Sequence, residues 1–161
     1  MLSGETTVGK YPIDCVKIFD RVSRRIEASG GAGYAELAVL DDIRQKTMAS
    51  AVKLANSVTN SKIVVFTRRG FMADHASHLR PVSAPIFAFS PNEAVVRRLT
   101  LNRGVHAIRM AFSTKPEHTV AEAEEYLKQQ GLANAGDELI ILSDIVTGEE
   151  RFDSIQLRRV V

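Results

Sequence analysis

The sequence is poor in cysteine and has no long apolar run. Its one cysteine, Cys15, has no partner for an internal disulfide, which favours a reducing compartment, and its apolar helical surroundings predict a buried structural thiol. No apolar run is long enough to cross a bilayer, and the first residues resemble neither a secretory signal nor an Arg-rich presequence. We therefore expect a cytoplasmic protein without a membrane partner.

Concentrated charge is also missing. The formal net charge is only +2, and the basic residues are scattered along the chain. A nucleic-acid surface needs clustered positive charge, so we expect no nucleic-acid partner. The 161 residues, 45% of them hydrophobic and 25% charged, are typical of one globular domain with a sizeable core.

Two helices are predicted before any strand. Pro12 suits the first turn of the first helix, and the glycine-rich segment 29–33 ends it. Apolar residues at helical spacing predict that one face of this helix is buried. That face comprises Ile13, Val16, Ile18, Phe19, Val22 and Ile26. The second helix is predicted over Leu37–Ser57. Its inner residues are expected to be Ala38, Ile43, Thr47, Ala51 and Leu54.

Four short apolar runs predict strands that are covered on both faces. They are Lys62–Phe66, Pro85–Phe89, Val105–Met110 and Glu138–Leu142. The helical stretches predicted between them are Phe71–Leu79, Asn92–Leu101 and Thr119–Gln130. This alternation indicates a parallel sheet with right-handed crossovers, and the short connection to the segment 154–160 makes that last strand antiparallel. The expected fold is α/β, a three-layer α/β/α sandwich with a five-stranded mixed sheet.

The loop after the first predicted strand has the chemistry of a phosphate site. Residues Thr67–Met72 lead from a buried strand into a helix, whose N-terminus offers unpaired N–H groups and the positive end of the helix dipole. Thr67 adds a hydroxyl, Gly70 lets a ligand approach the backbone, and Arg68 and Arg69 add cationic forks. The alternative is a solvated turn whose arginines pair with surface carboxylates, because this loop is not a P-loop motif.

A second loop, 143–148, follows the fourth predicted strand and is expected at the same edge of the sheet. Asp144 and Thr147 could close over a ligand of the first loop. A plain hairpin connection is the alternative, and the sequence alone favours it. His75 and His78 lie three residues apart without a third ligand, so no metal site is expected, and no catalytic constellation is evident.

The opening segment "MLSGETTVGKYP" resembles a specific motif of the pyruvate kinase family. In that family the motif lies where the catalytic barrel passes into the C-terminal domain. The resemblance continues over nearly the whole chain, in "KIVVFTRRG", "RPVSAPIFAFSPN", "LTLNRGVHAI", "AGDELIIL" and "SIQLRRVV". It implies that residues 1–10 are a trailing segment or linker of the barrel and that residues 11–161 form the C-terminal domain.

The resemblance implies a regulatory domain of an enzyme that transfers phosphate from phosphoenolpyruvate to ADP, giving pyruvate and ATP in glycolysis. The groups for substrate, magnesium and potassium belong to the family's barrel. We therefore expect no catalytic residue, metal or cofactor in this chain, and no activity from it alone. The implied partners are its own barrel and further copies, as a homodimer or tetramer paired through the first helices and the edge strand 154–160.

The family's C-terminal domain also binds a phosphorylated allosteric effector. The effector residues that the resemblance implies here are Thr67, Arg68, Arg69, Gly70, Phe71, Met72, Asp144, Thr147 and Gly148. Members regulated by fructose 1,6-bisphosphate resemble Thr-Lys-Ser-Gly-Arg-Ser in the first loop, so Phe71 and Met72 replace a cation and a hydroxyl. Glu149 and Glu150 would repel a second phosphate. The loop looks closer to plastid-type members, and we expect AMP or a sugar monophosphate.

Two alternatives to this effector-binding domain stay open. One is a degenerate domain of the same fold that serves only assembly. The other is an independent small protein that binds a phosphorylated ligand.

Overall fold

A computed structural model describes residues 3–28, 34–147 and 150–161. The chain divides into two compact units, residues 1–33 and residues 34–161. The predicted boundary between residues 10 and 11 is not tested by this division and stays a prediction. Within the described residues, no helix is both long and apolar enough to span a membrane.

The first unit contains two helices, α1 (Gly4–Val8) and α2 (Pro12–Ala28). The predicted start at Pro12 is confirmed, whereas the short helix α1 was not predicted. The carboxylate of Glu5, in the first turn of α1, accepts a hydrogen bond of 2.9 Å from the backbone N–H of Tyr11, the residue directly before α2.

The predicted burial of one face of α2 is wrong for this chain. The apolar residues of that face are 49–68% exposed, and α2 has no buried residue. The physical reason is that an amphipathic helix needs a second layer to cover its apolar face, and α1 is too short to provide one. Cys15 is correspondingly only partly buried, so the prediction of a buried thiol is also wrong.

The second unit contains the sheet and its helices. Its helices are α3 (Tyr34–Leu37), α4 (Ile43–Ser57), α5 (Phe71–His78), α6 (Glu93–Leu99) and α7 (Pro116–Gln129). Its strands are β1 (Ser61–Phe66), β2 (Ile86–Ser90), β3 (Val105–Arg109), β4 (Glu138–Thr147) and β5 (Glu150–Arg159). The five predicted strands are therefore confirmed, and they form one sheet in the order β3-β2-β1-β4-β5.

The sheet has the predicted mixed character. β3, β2, β1 and β4 run parallel, and β5 pairs antiparallel with β4 at the edge. Ile63 and Val65 of β1 pack in a cluster with α4 and α5, whereas Val64 packs in a second cluster with α7. This alternation places helices on both faces, so the three-layer α/β/α sandwich is confirmed. Each fully buried aliphatic side chain contributes about 1.5–3 kcal/mol.

The predicted second helix, Leu37–Ser57, is wrong in its first turns. The segment 38–42 is not helical, and α4 begins after Asp42, whose side chain accepts a 2.8 Å hydrogen bond from the N–H of Gln45. An aspartate in this position satisfies a free N–H of the first turn and starts a helix. Ile43 is consequently exposed, while Ala51 is buried as predicted. The buried residues of α4 are Met48, Ala49, Ala51, Val52 and Ala55.

The segment 143–147 was predicted as a loop, but it continues strand β4. β1 pairs with β4 only as far as Leu142, and beyond that point β4 pairs with β5 alone, from Ser143 to Thr147. The β-branched residues Ile145 and Val146 favour this extended ribbon. The loop prediction is therefore wrong, and the hairpin alternative is correct.

Candidate functional site

The predicted phosphate loop lies at the carboxyl end of the central strand β1. The N–H of Thr67 donates a 2.9 Å hydrogen bond to the carbonyl of Phe89, and α5 begins four residues later at Phe71. From β1 the chain crosses to β2 on one side, whereas β4 lies on the other side. Crevices at such a reversal of strand order are the common ligand sites of open α/β sheets.

The loop has a fixed local geometry. The hydroxyl oxygen of Thr67, a residue that is 7% exposed, accepts a 2.8 Å hydrogen bond from the N–H of Gly70. Gly70 has a φ of +92°, a left-handed conformation that favours glycine. It is also the N-cap of α5, and no side chain caps this helix end. The N–H groups of the first turn of α5 are thus left for another acceptor.

The two loop arginines are exposed, and Arg68 contacts an aromatic ring. The guanidinium carbon of Arg68 lies 5.4 Å from the centroid of the Phe112 ring, a cation–π distance. Among the residues whose side chains the structure describes, neither Arg68 nor Arg69 is within ion-pair distance of a carboxylate. The phosphate site and the solvated turn both stay predictions, because the acidic side chains of the segment 144–153 lie outside the described part of the chain.

The remaining two residues of the loop differ from each other. Phe71 is 59% exposed, whereas Met72 is partly buried and packs against the cluster between the sheet and α4. Neither side chain carries a cation or a hydroxyl. The six loop residues are therefore contiguous and ordered around Gly70, but only four of them have groups that suit a phosphate.

Arg98 of α6 was missed by the sequence analysis. Its guanidinium contacts both carboxylate oxygens of Asp74 at 3.0–3.1 Å, and its Nη2 also donates a 3.0 Å hydrogen bond to the carbonyl of Arg69. The side-chain amide of Asn102 donates a 2.7 Å hydrogen bond to the same carboxylate. Arg98 is 24 residues from Asp74 and 29 from Arg69. No local spacing rule could have shown this contact.

The second part of the predicted site is only partly described. The backbones of Asp144 and Thr147 lie in the β4–β5 ribbon, opposite Asp153 and Glu150. Their side chains and Gly148 lie outside the described part of the chain. Their role as effector residues stays a prediction.

A buried ion pair lies at the opposite ends of the same strands. The Nζ of Lys62 is 2.6 Å from a carboxylate oxygen of Asp137, and both side chains are largely buried. The hydrogen bond from Lys62, followed by that from the N–H of Asn134 at 2.7 Å, lowers the pKa of Asp137 below its ordinary value. This pair joins the start of β1 to the residue before β4, and one carboxylate oxygen of Asp137, Oδ2, accepts both hydrogen bonds.

No described residues suit a metal ion. The part of the chain that the structure describes has no group of three or more His, Cys, Asp and Glu side chains placed to hold one. His75 and His78 instead line a shallow cavity of about 150 Å³ with the segment 38–40, at the C-terminal half of α5. The described residues therefore do not fit the magnesium ion that the resemblance implies for the parent enzyme.

The comparison with known families is decisive for identity. The family model described as "Pyruvate kinase, alpha/beta domain" matches residues 45–157. The chain belongs to this family. The predicted resemblance and fold are confirmed, and the chain corresponds to the C-terminal domain of pyruvate kinases.

Several curated pyruvate kinases are similar to this chain. The chloroplastic isozyme G of Ricinus communis is 36% identical over 166 residues, covering 99% of this chain and 39% of the relative. Plastidial pyruvate kinase 3 of Arabidopsis thaliana is 35% identical, covering 99% and 29%. A pyruvate kinase of Clostridium perfringens is 30% identical. The chain thus spans less than two fifths of the length of these relatives.

A solved structure supports the same assignment. The crystal structure of a pyruvate kinase from Cryptosporidium parvum has a TM-score of 0.79 to this chain at 26% identity, covering 99% of this chain and 32% of that one. The relatives include chloroplastic and bacterial enzymes. The expected cytoplasmic location stays a prediction.

Proposed function

We propose that this chain is the regulatory domain of a pyruvate kinase, that it binds a phosphorylated effector at the loop Thr67–Met72, and that it joins copies of the enzyme. The parent enzyme would transfer phosphate from phosphoenolpyruvate to ADP in the cytoplasm. Its barrel would supply the catalytic groups and bind magnesium and potassium. This chain would regulate and assemble the enzyme without catalysing the reaction.

The observation that carries the effector proposal is the uncapped start of α5 at the end of β1. The N-cap Gly70 has no side chain to accept from the N–H groups of the first turn, and uncapped N–H groups at a helix start favour an anion. Arg68 and Arg69 are exposed beside it and have no carboxylate partner among the described side chains. Backbone N–H groups together with two guanidinium groups are a typical set of phosphate ligands.

The same loop supports one phosphate and not two. The side chains of Phe71 and Met72 have no polar atom to offer a second phosphate, and Met72 packs against the core. Arg98 does not supply the missing charge, because the carboxylate of Asp74 neutralises it. A monophosphate such as AMP or a sugar monophosphate is therefore favoured over fructose 1,6-bisphosphate.

Calorimetric titration of the full chain tests this proposal. The ligands are AMP, ribose 5-phosphate, glucose 6-phosphate and fructose 1,6-bisphosphate, with inorganic phosphate as a reference. We expect one monophosphate to bind saturably and the double variant Arg68→Ala, Arg69→Ala to lose this binding. The control, Arg44→Ala with Lys46→Ala, removes the same charge from exposed positions of α4 and should bind as the wild type does. An equal loss of ligand binding in both double variants would show that net charge, and not the position of the arginines, controls binding. This result would contradict the proposed site.

Exposed apolar surfaces support the proposed assembly. Val16, Phe19 and Val22 of α2 are each 49% exposed, and Ile155 and Leu157 of the edge strand β5 are 37% and 51% exposed. An edge strand also has unpaired backbone groups, which favour pairing with another chain. We expect the first helices and β5 to meet their counterparts in a second copy, while the parent's own barrel covers further surface.

This assembly role is the second candidate function, and it does not depend on an effector. Sedimentation velocity at micromolar concentration should show a dimer, and Leu157→Lys, in the middle of the edge strand, should shift it toward monomer. Gln156→Lys, at the neighbouring position of the same strand, serves as the control. A wild-type monomer would contradict the assembly proposal. A dimer that ignores every phosphate would favour assembly as the only function.

A further inference from the structure

Arg98 joins three separate segments at the start of α5. Arg98 belongs to α6. Its guanidinium donates hydrogen bonds to the carboxylate of Asp74 in the first turn of α5 and to the carbonyl of Arg69 in the loop. The bond to Arg69 reaches the residue directly before the N-cap Gly70. A single side chain from α6 therefore links the loop to the first turn of α5.

Gly70 and Arg98 fit each other sterically. A Cβ atom at Gly70 would lie inside van der Waals contact with Nη2 of Arg98. The missing side chain of Gly70 thus leaves room for the guanidinium as well as allowing the positive φ. The positive φ favours glycine at this position, and a larger residue would also have to displace the end of the Arg98 side chain.

We propose that Arg98 is the positioning residue of the effector loop. It holds the loop in the conformation in which the Thr67 hydroxyl accepts a hydrogen bond from the N–H of Gly70 and the start of α5 has no side-chain cap. Arg98 does not itself bind the effector, since Asp74 and the Arg69 carbonyl occupy its Nη1 and Nη2 donors. The part of this inference that concerns a ligand rests on the proposed function, whereas the part that concerns the loop does not.

The chemistry of the contact requires a guanidinium group. Arginine presents several N–H donors in a rigid plane, so it can bind a carboxylate and a carbonyl at the same time. The ammonium of lysine is a single point charge and cannot reach both partners with this geometry. A conservative change from arginine to lysine should therefore fail to restore the loop, although it keeps the positive charge.

Amide hydrogen exchange on the full chain tests the loop directly. In Arg98→Lys and Arg98→Gln, we expect the Gly70 amide to exchange at least about tenfold faster, because a charge-assisted hydrogen bond that anchors the loop is lost. The matched control is Arg97→Gln, which removes an exposed arginine of the same helix whose partner is Glu93. Gly70 exchange in this control should equal that of the wild type. Wild-type exchange in Arg98→Lys would overturn the inference.

A double-mutant cycle tests the steric part. Gly70→Ala should cost clearly less stability in an Arg98→Ala background than in the wild type, because the collision with the guanidinium is then gone. Strictly additive effects would overturn this part.

Effector titration separates this inference from the proposed function. If the wild type binds a monophosphate, Arg98→Lys should weaken the affinity for this ligand by at least about tenfold, while Arg97→Gln should leave the affinity unchanged. If the wild type binds none, the effector proposal fails, and hydrogen exchange still decides the role of Arg98.

Discussion

The two ends of strand β1 use polar groups in opposite ways. At its start, the ammonium of Lys62 and the carboxylate of Asp137 are buried together, and Asp137 also accepts from the N–H of Asn134. At its carboxyl end, Arg68 and Arg69 are exposed, and the helix that follows has no side-chain cap. One end satisfies its polar groups within the fold, whereas the other leaves them available. Polar groups therefore serve stability at one end and, as we propose, ligand binding at the other.

The largest effect is expected at the buried end. Asp137→Ala should lower the free energy of unfolding by about 3 kcal/mol, because it leaves the Lys62 ammonium buried without a partner. Chemical denaturation measures this change. The control is Asp20→Ala, which removes an aspartate that pairs with Arg24 on the exposed surface of α2, and it should leave stability within error. Equal effects of the two variants would contradict the distinction between a buried and an exposed pair.

The pH dependence of stability sharpens this prediction. The pKa of Asp137 is lowered in the folded chain, chiefly by the hydrogen bond from Lys62, from an ordinary value of 3.8. The ionised form of Asp137 is therefore more stable in the folded chain than in the unfolded one. Its contribution to the free energy of unfolding is complete above pH 3.8, and it is lost as the pH falls through the lower pKa of the folded state. The stability difference between the wild type and Asp137→Asn should shrink in that acidic range. A difference that stays constant there would contradict the lowered pKa.

A smaller effect is expected at the open end. Gly70→Ala should cost about 2 kcal/mol, since alanine is strained at positive φ and its Cβ meets Arg98. Gly104→Ala is the matched control, because Gly104 has a φ of +71° but open space around its Cβ position. It should cost only about 1 kcal/mol. Thermal unfolding of the two variants measures the difference between their losses of stability. Equal losses would show that contact with Arg98 does not contribute.

The smallest effect concerns Thr67. Thr67→Val should cost about 1 kcal/mol, because the N–H of Gly70 loses its acceptor. Thr67→Ser keeps the hydroxyl and should restore most of that loss. Denaturation midpoints compare the two variants. A serine variant as unstable as the valine variant would show that the methyl group, and not the hydroxyl, stabilises the loop.

The sequence predicted the features that depend on local patterns. Continuous apolar runs such as Lys62–Phe66 identified the central strands, and the strand-to-helix passage identified the loop that ends at Gly70. These predictions succeeded because each pattern lies within a few residues. The order of the strands in the sheet follows from packing between segments and was not predicted.

Features that depend on distant partners were missed. Apolar periodicity correctly predicted helix α2 but could not show that its apolar face is exposed in this chain. The β4 extension to Thr147 depends on pairing with β5, and the contact of Arg98 with Arg69 joins segments 29 residues apart. In each case the deciding contact is made by residues far apart in the sequence.

The most direct test of the central claim is an NMR titration that monitors both ends of β1 in one experiment. Backbone amide shifts would be followed while AMP, ribose 5-phosphate or glucose 6-phosphate is added to the full chain. We predict saturable shifts at Gly70, Phe71 and Met72 for one of these ligands, with no change at Asn134 and Asp137. Saturable shifts confined to other parts of the chain, with Gly70–Met72 unchanged, would contradict the account.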